Sequence, residues 1–258
     1  MNLIEINGVK LEVLRIGATP EQKDLAPLVF LHEGLGSVAM WRDWPQALCQ
    51  ATGREGWVYS RQGYGQSDAV PDVRGGGQLQ PDYMHKEAWT VLPALLHALS
   101  IEKPVLVGHS DGGTIALLYA SRHPVSACIA MAPHVIVEDI SVHAIDQARI
   151  SFESGDLRQR LTRYHANVDC AFWQWNDIWL SPGFRAFDIR QQCTLVKAPV
   201  LAIQGEDDPY GTLAQIEQIA LPASQITRLV LPQCAHSPHR EQVTLTTRAI
   251  TDFLRDAM

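Results

Sequence analysis

The chain has 258 residues, with 21 Lys and Arg against 28 Asp and Glu, a formal charge of −7. Its 46% hydrophobic content excludes a disordered chain, and its length suits one large domain or one domain with an insertion. The acidic balance and the lack of any Lys/Arg run exclude a surface that tracks nucleic-acid phosphates.

Met1–Gly17 alternates apolar and polar residues around Asn7-Gly8 and reads as a β-hairpin. This N-terminus has no basic segment and no apolar core, so it does not read as a signal peptide. Pro27–Leu31 is a short apolar run ending at a glycine-rich loop, the pattern of a strand buried on both faces. A helical pattern over Ala39–Ala51 follows, then a second strand run at Trp57–Ser60 that ends at Gly63 and Gly65. Gly75–Gly77 reads as a flexible loop ahead of a helix over Tyr83–Leu99, where Ala88, Val91, Leu92, Leu95, Leu96 and Leu99 recur at helical spacing. Val105–Val107 is the third buried strand and Gly112–Ser121 the helix after it. Strands at Cys128–Met131, Val200–Ile203 and Ile226–Leu231 and helices at Leu213–Ala220 and Gln242–Leu254 complete the pattern.

Strand–helix alternation predicts an α/β fold, a mostly parallel central sheet flanked by helices on both faces. The rhythm breaks from Val135 to Arg190, a charged, helical stretch that holds Trp173, Trp175 and Trp179. Residues 135–190 therefore read as a helical insertion between two parts of one body, 1–134 and 191–258. No run is long and apolar enough for a bilayer span. Cys49, Cys128, Cys170, Cys193 and Cys234 are odd in number, scattered and without a CxxC pair, which reads as reduced thiols in a cytoplasmic protein.

The chemistry concentrates at Gly108-His109-Ser110-Asp111-Gly112, a G-x-S-x-G between an apolar strand and an Ala/Leu-rich helix. A strand-to-helix turn this sharp strains the serine backbone and crowds the positions two residues either side, so glycine is needed there. Ser110 then stands at a helix N-terminus, where free N–H groups favour developing negative charge. Serine needs a base, and the order Ser, acid, His is completed downstream. Asp207 and Asp208 follow the Val200 strand, and Asp208, next to Pro209, is the favoured acid. His236 and His239 follow the Ile226 strand. His236 is the favoured base because Pro238-His239 reads as the start of the last helix. His32, His109, His134 and His165 are further candidates for the site wall. The loop His32-Glu33-Gly34-Leu35-Gly36 can aim backbone N–H groups at a carbonyl oxygen, with Gly34 or Leu35 as one donor and Asp111 as the other.

With these motifs the chain resembles the α/β-hydrolase-fold serine hydrolases along nearly its whole length: the His32–Gly36 loop, Arg61–Asp68, the Gly108–Gly112 elbow, Gly205–Asp208 and His236. The resemblance implies a structural role for Arg61–Asp68 and a helical cap over the site at 135–190. Glu33 departs from the usual His-Gly of the oxyanion loop. Ser-Asp-Gly-Gly at the elbow and Trp175-Asn-Asp177 in the cap are similar to valacyclovir hydrolase-like esterases, which implies that Asp111 contacts a substrate ammonium. A plain helix N-terminal charge is the alternative reading of Asp111.

The reaction expected is hydrolysis of small carboxylic esters through an acyl-enzyme on Ser110, with His236 and Asp208 completing the triad. Glu33, His109, Trp173, Trp175 and Trp179 are candidates for the substrate pocket, with core packing the alternative for the tryptophans. Alternatives are carbon–carbon bond hydrolysis, lactone opening or perhydrolysis on the same triad, or a non-catalytic ligand-binding protein on a hydrolase fold. The expected partner is a small-molecule ester, with neither nucleic acid nor membrane, and with a homodimer open beside the monomer. No metal or organic cofactor is expected, since no His pair has metal-ligand spacing with an acidic partner.

Overall fold

The computed structural model describes residues 2–17 and 25–257, so Met1 of the predicted hairpin lies outside the described residues. The hairpin pairs β1 (Asn2–Ile6) with β2 (Val9–Ile16). Asn7 and Gly8 have φ of 52° and 80°, the pair of left-handed conformations that a two-residue turn needs to match strand twist. The apolar runs become β3 (Leu28–Leu31), β4 (Gly56–Tyr59), β5 (Val105–His109), β6 (Ala127–Met131), β7 (Val200–Gly205) and β8 (Ile226–Leu231).

One sheet runs in the order β1-β2-β4-β3-β5-β6-β7-β8, antiparallel at its first two pairings and parallel from β4 onward. Its central strands are buried on both faces, which explains their unbroken apolar sequence. Leu28, Phe30, Val105, Val107, Ile129 and Met131 face one core layer, with Ile250 and Leu254 of the last helix. Val29, Leu31, Leu106, Cys128 and Ala130 face the other.

The helices are more broken than their periodicity predicts. Ala39–Ala51 divides into a 3-10 turn (Ala39–Trp41) and α1 (Trp44–Thr52), because Arg42 takes φ 53° and Pro45 opens the second piece. Tyr83–Leu99 divides into α2 (Tyr83–Lys86), a π turn (Glu87–Val91) and α3 (Leu92–Ala98). Pro93 has no N–H to donate and crowds the preceding turn, which widens there. After β5, α4 (Asp111–Ala120) is buried along its entire length.

Between β6 and β7 lie α5 (Asp139–Ser154), α6 (Leu157–Leu161), α7 (Val168–Trp179) and α8 (Arg190–Cys193). A single bridge between Ile136 and Asp188 brings the two ends of this helical segment together. The Asn167 side chain caps α7 by accepting from the Cys170 N–H at 3.0 Å. α9 is only Ala214–Glu217, shorter than the Leu213–Ala220 pattern. Pro238-His239 belongs to a separate turn, α10 (Pro238–Glu241), and not to the last helix α11 (Val243–Ala257). Gly75–Gly77 is a hydrogen-bonded turn and not a loose loop: the Gly76 N–H donates to Asp72 Oδ2 at 2.7 Å.

Candidate functional site

Ser110 lies between β5 and α4 with φ 53° and ψ −120°, a strained conformation for a residue with a side chain. Its N–H donates to the Met131 carbonyl at 2.9 Å, which fastens the turn to β6. The glycine spacing has the steric cause read from the sequence. A Cβ on Gly108 would lie 2.1 Å from the Gly112 oxygen, and one on Gly112 would lie 1.9 Å from the Leu31 oxygen.

Of the two adjacent carboxylates, the structure brings Asp208 to His236 and leaves Asp207 exposed. His236 Nδ1 is 2.8 Å from Asp208 Oδ2 and 3.0 Å from Oδ1, so its proton lies on Nδ1 and Nε2 is the free basic nitrogen. Asp208 also accepts from Gln204 Nε2 at 2.7 Å and from the Tyr210 N–H at 2.8 Å. Burial pushes this carboxyl up, but the His236 hydrogen bond and charge and the Tyr210 N–H outweigh it and hold Asp208 below the usual range. Both loops leave the carboxyl ends of neighbouring parallel strands, as the loop after β3 and the Ser110 elbow also do. The sheet order therefore collects the four segments at one edge.

Two neutral histidines hold the oxyanion-loop candidate in shape. His32 Nε2 accepts from the Arg61 N–H at 3.0 Å, so its Nδ1–H donates to the Glu33 carbonyl at 2.6 Å. His165 Nδ1 accepts from the Gly65 N–H at 3.0 Å, so its Nε2–H donates to the Leu35 carbonyl at 3.0 Å. Burial pushes His165 down to about 4 and His32 well below its usual value. Arg61 Nη2 also donates to the Glu33 carbonyl, at 2.9 Å. In a planar trans peptide the N–H points opposite the C=O. With the Glu33 carbonyl tied inward, the Gly34 N–H leaves on the other side. Glycine is required at this position because a Cβ would lie 2.1 Å from Trp175 Nε1.

A cavity of about 240 Å³ opens at Ser110, and His109, His134, His236, Glu33, Gly34 and Leu35 line it. Ile145 of α5, Leu157 and Leu161 of α6, and Trp175 and Trp179 of α7 complete its wall with Met40 and Tyr210. Three readings from the sequence are corrected. Trp173 turns away from this cavity, with the Arg74 guanidinium over its ring at 3.9 Å and Phe152 and Phe172 at its edge. His32 and His165 support the loop and are not part of the cavity wall. Asp111 is also absent from the wall: it is fully buried, with Oδ2 accepting from Tyr83 Oη at 2.7 Å and facing Arg61 Nη1 at 3.4 Å. Trp179 Nε1 donates to Tyr83 Oη at 3.1 Å, which extends this link from the elbow to α7.

The carboxylate of Asp111 is therefore an internal partner of Arg61 and Tyr83 through Oδ2, and with Oδ1 also buried it does not face the cavity where a substrate ammonium would lie. Asp111→Asn is expected to destabilise the fold by about 3 kcal/mol, because a buried guanidinium loses its counter-charge. It is also expected to change KM for neutral and aminoacyl esters alike. Urea denaturation and paired steady-state assays check both outcomes, and a KM rise confined to aminoacyl esters would restore the ammonium reading.

Among the described residues, Glu33, His109 and His239 place one ligand atom each within 4.8 Å of one another. That spread exceeds the roughly 3.3 Å between ligands of a tetrahedral zinc with bonds near 2.0 Å. Both ring nitrogens of His109 are already engaged, and Arg240 Nη2 lies 3.7 Å from Glu33 Oε1. The group does not suit a metal ion. No helix among the described residues is long and apolar enough to cross a membrane.

Residues 26–151 match the family described as alpha/beta hydrolase fold. A proline iminopeptidase of Lactobacillus helveticus is 35% identical over 106 residues, 40% of this chain and 34% of that protein, so the match spans about a third of the relative's length. A 2-hydroxy-6-oxo-2,4-heptadienoate hydrolase of Pseudomonas putida is 24% identical over 265 residues, 88% of each chain. A carboxylesterase structure from Nitrososphaera gargenis superposes with a TM-score of 0.77 at 18% identity, covering 99% of this chain and 98% of that one, a likeness of fold. The eight-stranded sheet, the elbow at Ser110 and the family match agree, and the chain is an α/β-hydrolase-fold protein.

Proposed function

We propose that this protein is a serine hydrolase that cleaves carboxylic esters of small molecules. The observation that carries the reading is His236, bonded to Asp208 behind it, sharing one cavity with a Ser110 held at positive φ. Ser110 Oγ attacks the ester carbonyl and passes its proton to His236 Nε2, while Asp208 stabilises the imidazolium. The oxyanion forms against the Asp111 N–H and, of the two loop candidates, the Gly34 N–H, which the tied Glu33 carbonyl turns away from the interior. His236 then protonates the departing alkoxide. Water attacks the acyl-serine, gives its proton to His236 Nε2, and Ser110 recovers its own.

Helices α5 to α7 act in this reading as a cap that sets the substrate's size and polarity. Their contribution to the cavity is apolar, through Ile145, Leu157, Leu161, Trp175 and Trp179. The cavity wall carries no Lys or Arg to hold a carboxylate, and its own carboxylate, Glu33, is already paired with His109. This supports an uncharged ester over a carboxylate-bearing dienone as substrate, although the Pseudomonas putida relative is named for the latter. A carboxylate aligned on the Nδ1 of a cavity histidine favours an enzyme over a ligand-binding protein without turnover. The five buried, unpaired cysteines support a reducing, cytoplasmic setting.

The test is a panel of neutral p-nitrophenyl esters, lactones and a ring-fission dienone carboxylate given to the purified protein. The neutral esters are expected to exceed the dienone in kcat/KM by at least about tenfold, the order of discrimination that one unfavourable pocket contact produces. A dienone turned over as fast as the best ester would overturn the ester assignment. No turnover of any member would favour the binding protein.

A further inference from the structure

A second carboxylate–imidazole pair stands behind Asp208 and His236. His109, the last residue of β5, is fully buried, with Nδ1 2.5 Å from Glu33 Oε2 and Nε2 2.6 Å from the His236 carbonyl oxygen. A carbonyl can only accept, so Nε2 carries a proton. A carboxylate and a ring nitrogen in hydrogen-bond contact need one proton between them, so the Glu33–His109 pair holds a second. The ring is thus fastened at both ends, to the loop after β3 on one side and to the backbone of His236 on the other.

The same peptide unit is held at its opposite edge. The Ser237 N–H donates to Glu241 Oε1 at 2.8 Å, and the Ala235 N–H donates to Glu241 Oε2 at 2.7 Å. The His236–Ser237 peptide is planar, so a bond to its C=O and another to its N–H fix the orientation of the whole plane. We propose that the Glu33–His109 pair is a positioning device for the base: with Glu241 it clamps the backbone of His236, so that the imidazole stays on Asp208 and its Nε2 stays turned to Ser110. The inference rests on the serine-hydrolase reading above, and it gives Glu33, the departure from the usual oxyanion loop, a reason to be there.

The surroundings keep the pair charged on the carboxylate side. Burial works against ionised Glu33, but His109, Arg240 and His239 outweigh it and hold Glu33 well below the usual carboxylate range. Arg240 is itself fixed, donating from Nη2 to the Met40 carbonyl at 2.6 Å. The His239 ring packs 4.8 Å from the His109 ring, and burial, ahead of the neighbouring charges, keeps it neutral. On the remaining sides His109 faces the Trp41 ring and the His236 ring, and among the described residues Glu33 is the carboxylate paired with it.

The experiment compares wild type, His109→Phe, Glu33→Ala, Glu33→Gln and the double variant His109→Phe/Glu33→Ala on one neutral p-nitrophenyl ester, with Ser110→Ala as the control. His109→Phe is expected to lower kcat by about 10- to 100-fold, the effect of a small misplacement of a reacting group, with KM changed less than about twofold. Glu33→Ala is expected to lower kcat in the same way, and the double variant to be no worse than His109→Phe, since the two residues act as one unit. Glu33→Gln, whose amide N–H can donate to Nδ1 and keep the proton on Nε2, is expected to recover most of the loss. A wild-type kcat in His109→Phe, additive losses in the double variant, or no difference between Glu33→Gln and Glu33→Ala would overturn the positioning role. Turnover retained in Ser110→Ala would overturn the hydrolase reading instead. If His109→Phe fails to fold by circular dichroism, the contrast between Glu33→Gln and Glu33→Ala decides alone, since the Glu33 side chain is partly solvent-exposed.

Discussion

Ser110→Ala is expected to lower ester turnover by at least about 10³-fold and to abolish labelling by a fluorophosphonate probe, with the fold intact. The size of the effect follows from covalent catalysis. Without the hydroxyl no acyl-enzyme forms, and only the oxyanion donors and substrate binding remain to assist water. The fold should tolerate the change, because the strained backbone is set by Gly108, Gly112 and the Met131 carbonyl and not by the serine oxygen. Alanine shares that strain, so stability should change little. Mass spectrometry of the labelled protein and a thermal melt check both statements. Ester turnover within tenfold of wild type in this variant would remove Ser110 from the reaction.

Asp208→Asn is expected to reduce kcat by about 10³- to 10⁴-fold, whereas Asp207→Asn should leave it within about twofold. The asymmetry comes from one proton. Asp208 holds the hydrogen on Nδ1 of His236, so Nε2 keeps its lone pair for Ser110. An asparagine that turns its N–H₂ to Nδ1 places the hydrogen on Nε2, where it cannot accept a proton. Gln204 already donates to this carboxylate, which opposes a simple amide swap in place. Asp207 is exposed and touches the site only through its backbone N–H, which donates to the Cys234 carbonyl at 3.0 Å and survives the substitution. Steady-state kinetics on the two variants rank the carboxylates, and the reverse order would move the acid to Asp207.

What the sequence determined by itself is what local chemistry encodes. Strands β3 to β7 are legible because a parallel sheet buries both faces, so Leu28–Leu31 and Val105–Val107 read as unbroken apolar runs. The elbow is legible because a backbone clash at Gly108 and Gly112 admits no side chain. The acid and base candidates are legible because each follows a strand within a few residues. Even the choice of Asp208 over Asp207 could be made from a neighbouring proline, although only the contact with His236 gives it a physical basis.

The tertiary structure decided what depends on pairings far apart in the chain. The links from His109 to Glu33 and to His236 span 76 and 127 residues, and no periodicity or spacing announces them. The same holds for Asp111, whose place at a helix N-terminus gave no hint of Arg61 or Tyr83 beside it. Trp173, Trp175 and Trp179 share one helix and one composition, yet helix packing sends two to the cavity and one to Arg74 at the surface. Proline and backbone strain cut the predicted helices at Pro93 and Arg42, where apolar spacing alone sees continuity. Local pattern records which faces are buried. Which polar groups meet across the finished sheet is settled only when the loops after β3, β5, β7 and β8 come together at one edge.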